Sequence, residues 1–206
     1  VLTNAFANAE RSNKSMCAIL AGIPSFTDDA FMNTAFAGNR VEGLGSRLKE
    51  LGYATAFFHG GLNGEYKFDS FTRACGFDRY YGKDEYGNDD GYDGHWGIYD
   101  EEFLQWTAQR MGELPTPFCG AVFTLSSHDP FVIPERYKGR FPSGGQEIHE
   151  SLGYTDMSLR RFFATASKQP WFANTVFVLT GDHTFQYNDH PPWYTNPAGR
   201  FAVPII

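Results

Sequence analysis

The chain has 206 residues, enough for one domain with a sizeable core, since single cores run to roughly 250 residues. With 20 Phe, 11 Tyr and 4 Trp, apolar surface for burial is plentiful. A formal net charge of −7 argues against nucleic acid as the partner, because phosphate backbones recruit basic faces, yet it leaves room for a small phosphorylated substrate held by a metal ion.

No run of about 18 apolar residues is present and no signal peptide is visible. Both termini read as domain interior, so the expectation is a single catalytic domain, 1–206, truncated at both ends. Cys17, Cys75 and Cys119 form no zinc signature and read as buried small hydrophobes.

In chain order, residues 13–20 read as a helix stopped by Gly22 and Pro24. Residues 43–51 carry Leu44, Leu48 and Leu51 at helical spacing, with Gly52 as the stop. Residues 53–59 (YATAFFH) read as a buried strand. Residues 82–95 are rich in Gly and Asp without periodicity and read as a surface loop; their acidic spacing lacks the order of a calcium-binding loop. Residues 101–111 place Phe103, Leu104, Thr107 and Met111 on one helical side. Residues 118–126 (FCGAVFTLS) read as a second buried strand and residues 134–147 as a loop. Residues 148–166 form a helix with a stripe of Ile148, Leu152, Leu159, Phe162 and Phe163. Residues 175–180 (TVFVLT) read as a third buried strand. Strands alternating with helices predict an α/β fold with a largely parallel sheet. Ligands of such sheets gather where strands end, which singles out His59, Ser127-His128 and Asp182-His183.

Three clusters carry possible chemistry. Gly181-Asp182-His183 sets an oxygen and a nitrogen donor side by side after a strand, a pair suited to a borderline divalent metal and equally to a hydrogen-bonded polar turn. Ser127-His128-Asp129-Pro130 offers an imidazole that either contacts a substrate oxygen or caps the strand end. Ser12, between Arg11 and Lys14, is either an ordinary helix cap or a nucleophile activated by a metal at a helix start. His190 reads as a surface-loop histidine, and His95 and His149 carry no assignment.

Taken together, these pieces resemble the lipoteichoic acid synthase and phosphoglycerol transferase branch of the alkaline phosphatase superfamily, the sulfatase-like enzymes. The matching segments are Phe6-Ala7-Asn8-Ala9-Glu10-Arg11-Ser12, Ala18-Ile19-Leu20-Ala21-Gly22-Ile23-Pro24-Ser25, Leu48 to Gly60, Gly76-Phe77-Asp78, Trp96-Gly97-Ile98-Tyr99-Asp100-Glu101, Ser127-His128-Asp129-Pro130-Phe131 and Gly181-Asp182-His183. The resemblance implies a three-layer sandwich with a largely parallel central sheet. It implies Ser12 as nucleophile and metal-bound oxygen, Asp182 and His183 as further ligands of one divalent ion (Mn, Zn or Mg), and an additional acidic ligand upstream of Val1. It implies His128, with His59 and Tyr66, at the substrate, and an extracytoplasmic lipid headgroup or glycan as that substrate. Attachment to the membrane would come through a segment absent from this chain.

Two departures qualify the resemblance. Tyr66 and Phe68 stand where lipoteichoic acid synthases carry a Trp and an Arg, and losing that Arg removes a bidentate phosphate contact. Asn13-Lys14 follows Ser12, so the Cys/Ser-x-Pro-x-Arg signature of sulfate hydrolysis is missing. A hydrolase of phosphonates, phosphodiesters or sulfate esters, and a binding module that kept only the fold, are the alternatives.

Overall fold

The structure, a computed structural model, describes residues 1–185 and 192–206. The chain forms two compact units, one of Val1–Arg47, Tyr66–Gly76 and Val176–Ile206, the other of Leu48–Glu65 and Phe77–Thr175.

The second unit is built on a three-stranded parallel sheet in the order β2-β1-β3, with β1 Ala54–His59, β2 Arg79–Tyr81 and β3 Phe118–Phe123. β1 is central and its register with β3 runs from Ala54↔Phe118 to His59↔Phe123. Its unbroken apolar run follows from that position: Ala56, Phe57 and Phe58 are buried, as a strand covered on both faces requires. Burying each Phe stabilises by about 1.5–3 kcal/mol. Phe57 stacks on Tyr80 and Phe58 on Tyr81, which ties in β2. The sequence reading missed β2, since three residues are too few to show a period. β3 ends at Phe123, short of the expected Ser126, and is half-buried along its length.

Two helices complete this unit: α5 Asp100–Met111 and α6 Ile148–Ala166, numbered after α1 Ser12–Ala21, α2 Leu44–Glu50, α3 Phe68–Ala74 and α4 Lys83–Tyr86. α5 opens with Asp100, Glu101 and Glu102 and closes with Arg110, matching its dipole. Its expected face is buried, as Phe103, Leu104, Thr107 and Met111 show. Gly120 makes room on β3, because a Cβ there would lie 2.5 Å from Met111 Cε. For α6 the predicted stripe is displaced. The buried residues are Ser151, Tyr154, Ser158, Phe162 and Ala166, while Leu152 is exposed. Small hydroxyl residues let α6 lie close to α5, and Ser158 satisfies its hydroxyl by donating to the Tyr154 carbonyl. Within the expected loop 82–95, α4 adds one helical turn.

In the first unit α1 ends at Gly22, whose φ of 64° permits the left-handed turn that returns its N–H to the Ala18 carbonyl. α2 lies across the division between the units. Its expected leucine stripe is not a core face: Leu44 and Leu51 are exposed, and Gly43 and Gly45 are the buried positions. Gly43 is needed there because a Cβ would stand 2.6 Å from Cys75 Cβ. Residues 175–180 do not form the expected buried strand. Val176 and Val178 are 88% and 70% exposed, and regular pairing is confined to the end of the segment, where Leu179 and Thr180 meet residues 205–206. Burial alternates with Phe177 and Leu179, so the apolar run covers only one side.

Candidate active site

Ser12 is the first residue of α1; Arg11 is the N-cap and no side chain caps this helix start. The Ser12 hydroxyl is therefore not spent on capping. Residues 2–7 pair antiparallel with residues 201–205, through Leu2 with Ile205 and Phe6 with Ala202, and Thr180 also pairs with Ile205. The carboxyl-terminal segment thus joins the beginning of the chain to residues 179–180. This places Ser12 Oγ 3.3 Å from His183 Nε2, although 171 positions separate them. Asp182 Oδ2 lies 3.5 Å from the same nitrogen. Glu10 and Arg200 pair beside this site and help hold the two chain segments together.

His183 Nδ1 is 2.8 Å from the Thr184 carbonyl oxygen. A carbonyl only accepts, so Nδ1 carries a proton, and Nε2 is the nitrogen turned toward Ser12 and Asp182. A ring held in this way through its other nitrogen is the usual arrangement of a metal-ligating histidine. Ligands about 2.0–2.1 Å from a tetrahedral zinc ion stand about 3.3 Å apart. The separations of 3.3 and 3.5 Å fit two edges of such a polyhedron. The donor set of carboxylate, imidazole and hydroxyl also suits Mn²⁺. Among the described residues no three His, Cys, Asp or Glu side chains gather to hold a metal ion; Asp182 and His183 are two such donors, with the Ser12 hydroxyl beside His183.

In the second unit His59 ends β1 and is buried, with Nδ1 3.4 Å from the Phe123 carbonyl. Burial pulls its pKa down to about 4, so the ring is neutral at pH 7. His128 lies exposed in the turn after β3, with Nδ1 2.8 Å from the Asp129 carbonyl. Asp100, at the start of α5, holds the entry to that turn. Its carboxylate accepts the Leu125 and Ser126 backbone N–H groups at 2.8 and 3.1 Å, and the Asp100 N–H donates to Ser126 Oγ. Complete burial raises the Asp100 pKa, against these hydrogen bonds.

The Sulfatase family model matches residues 1–206. The chain belongs to the sulfatase family. Among characterised relatives, this sulfatase-family chain is 29% identical over 141 residues to the lipoteichoic acid synthase-like protein YvgJ of Bacillus subtilis, covering 66% of this chain and 23% of the relative. It is 28% identical over 188 residues to phosphoglycerol transferase I of Citrobacter koseri, covering 84% of this chain and 24% of the relative. The lipoteichoic acid synthase LtaP of Listeria monocytogenes shares its fold with a TM-score of 0.83 at 21% identity, over 97% of this chain and 54% of that structure. A protein in the alkaline phosphatase superfamily from Vibrio parahaemolyticus has the same α/β fold, with a TM-score of 0.83 at 27% identity over 98% of this chain and 50% of that structure. The chain spans about a quarter of the curated relatives' length.

Within this sulfatase-family fold, the two departures noted in the sequence receive physical accounts. Phe68, at the position where an Arg was expected, is 1% exposed and starts α3 as a core residue. Tyr66 is 45% exposed and holds a φ of 48°, a strained backbone for a bulky side chain. His190 lies outside the described residues. Asp100 escaped the sequence reading because a carboxylate at a helix start looks like ordinary dipole compensation. Its place in the Trp96 to Glu101 segment was the available signal.

Proposed function

We propose that this chain supplies the catalytic region of a phosphoglycerol-type transferase, acting outside the cytoplasmic membrane on a lipid headgroup or glycan. The observation that carries the reading is the approach of Ser12 Oγ and Asp182 Oδ2 to His183 Nε2, at 3.3 and 3.5 Å. The similarity to lipoteichoic acid synthases and to phosphoglycerol transferase I supports the substrate class. Extracytoplasmic placement follows the same relatives. Among the described residues no helix is long and apolar enough to cross a membrane.

Asp182, His183 and Ser12 would hold one divalent ion, Mn, Zn or Mg. When bound, such an ion neutralises charge on a phosphoryl oxygen and lowers the proton affinity of the serine oxygen. Ser12 Oγ then forms a bond to phosphorus as the bond to the leaving alcohol breaks, and that alcohol departs with a proton. An acceptor hydroxyl next attacks the phospho-serine ester and regenerates the Ser12 hydroxyl. The position of Ser12 at the first turn of α1 adds the positive end of a helix dipole to the charge balance. His128, His59 and Tyr66 are assigned to the substrate. With Asn13-Lys14 after Ser12, the sulfate-ester alternative lacks its own motif.

The test uses the full-length protein with a glycerophospholipid donor and added Mn²⁺. Intact mass should show a phosphoglycerol adduct on the wild type and none on Ser12→Ala. Equal turnover by that variant removes Ser12 as nucleophile. Preference for small soluble esters, with no lipid turnover, would move the reading to a hydrolase.

A further inference from the structure

The segment from Trp96 to Glu101 stood out in the sequence, yet the reaction scheme uses none of its first residues. Residues 92–98 form a closed turn. Asp93 Oδ1 accepts the backbone N–H groups of His95, Trp96 and Gly97 at 2.8, 2.8 and 3.0 Å. Asp93 N–H donates to the Gly97 carbonyl, and Tyr92 pairs with Ile98. The turn is seated on the end of β1: Ile98 N–H donates to the Gly60 carbonyl at 3.0 Å, and a Cβ on Gly97 would lie 2.2 Å from that same oxygen. Trp96 is thereby fixed in position before it touches anything else.

It touches His128. The indole Nε1–H donates to the Asp129 carbonyl at 2.6 Å, and the two ring centroids are 4.5 Å apart at 63°. The Asp129 carbonyl is also the acceptor for His128 Nδ1 at 2.8 Å. Both lone pairs of that oxygen are therefore engaged by the two rings. His128 and Asp129 are exposed, and an exposed hydrogen bond between neighbours in sequence competes with water. The indole covers one side of this bond and fixes the direction of its acceptor.

We propose that Trp96 is the positioning residue for His128: its indole holds the Asp129 carbonyl on which the His128 Nδ1–H rests, and its ring face limits the rotation of the imidazole. The inference rests on the reading that His128 meets the phosphoglycerol substrate.

Imidazole ¹⁵N–¹H correlation spectra of the full chain test the lock without any substrate, with Nε2 and Nδ1 signals of His128 assigned through His128→Gln. The wild type should show His128 as the Nδ1–H form. Trp96→Phe, which keeps a ring and loses the donor, should lower the ratio of Nδ1–H to Nε2–H, because the Asp129 carbonyl is no longer held toward the imidazole. Trp96→Ala should lower it at least as far, with the amide spectrum showing the fold retained. A wild-type Nε2–H form, or an unchanged ratio in both variants, overturns the proposal. Kinetics give the second arm. Trp96→Phe should lower kcat/KM about tenfold on a phosphoglycerol donor, and should cause no further loss in a chain that already carries His128→Gln. Additive losses in the double variant would overturn the proposal, since Trp96 would then act apart from His128. Absence of transfer from every donor by the wild type would instead remove the functional reading, with the spectra still deciding the role of Trp96.

Discussion

Replacing Asp100 by alanine should loosen the turn that carries His128, and the size of the effect can be worked out. The carboxylate is 3% exposed and accepts from the Leu125 and Ser126 backbone N–H groups and from Thr155 Oγ1. Alanine leaves two buried N–H groups without an acceptor, at about 1–3 kcal/mol each. Removing the charge relieves part of its burial cost, so a net loss of about 2–4 kcal/mol is expected. With a urea slope of about 2 kcal/mol per molar, the unfolding midpoint should fall by about 1–2 M. Asp100→Asn keeps the shape but turns an NH₂ toward one of the two donors, and should lose about half as much. Equilibrium urea unfolding followed by tryptophan fluorescence provides the measurement. A midpoint within about 0.2 M of wild type for Asp100→Ala would show that the two amides find other partners, and the account of how His128 is placed would fall with it.

His59 predicts a pH dependence of stability. The folded ring binds its proton more weakly than the unfolded chain, so stability is full above pH 6.5 and falls as pH drops toward about 4. The loss amounts to about 3 kcal/mol and should disappear in His59→Gln, as urea midpoints at pH 7 and pH 4.5 will show. Gly97→Ala should destabilise by about 1–3 kcal/mol, since its Cβ meets the Gly60 backbone and has no flexible neighbour to displace; thermal unfolding reads the shift. Mn²⁺ or Zn²⁺ at about a hundred times its Kd should stabilise the wild type by about 2.7 kcal/mol. Calorimetric melting should show that gain vanish in Asp182→Ala, and an undiminished gain would place the metal elsewhere.

Much of the architecture could be read from local pattern. Phe57 and Phe58 lie in an apolar run too short for a helix and bounded by turns, and this run became the central strand. The bounds of α6 were also legible, because helix length and stop signals are local. Which face it buries was not, because hydrophobicity alone favoured Leu152 over Ser151 and Ser158, whose hydroxyls are satisfied by the helix's own carbonyls. Residues 175–180 misled for the opposite reason. An apolar run states that burial is favourable, yet whether both faces are covered depends on what packs there.

For the site, residue chemistry along the chain offered Ser12, Asp182, His183 and His128 as candidates beside ordinary caps and polar turns, and the resemblance to the lipoteichoic acid synthase branch gave each its role. Their arrangement was a tertiary matter. The 3.3 Å approach of Ser12 to His183 depends on antiparallel pairing between the two ends of the chain, and no local propensity encodes contacts across 171 positions. The same holds for Asp100 on the Leu125 and Ser126 amides and for Trp96 against His128. Hydrogen-bond donors and acceptors carry no mark in the sequence of which distant partner will complete them, and only the packed fold brings each to the one group that does.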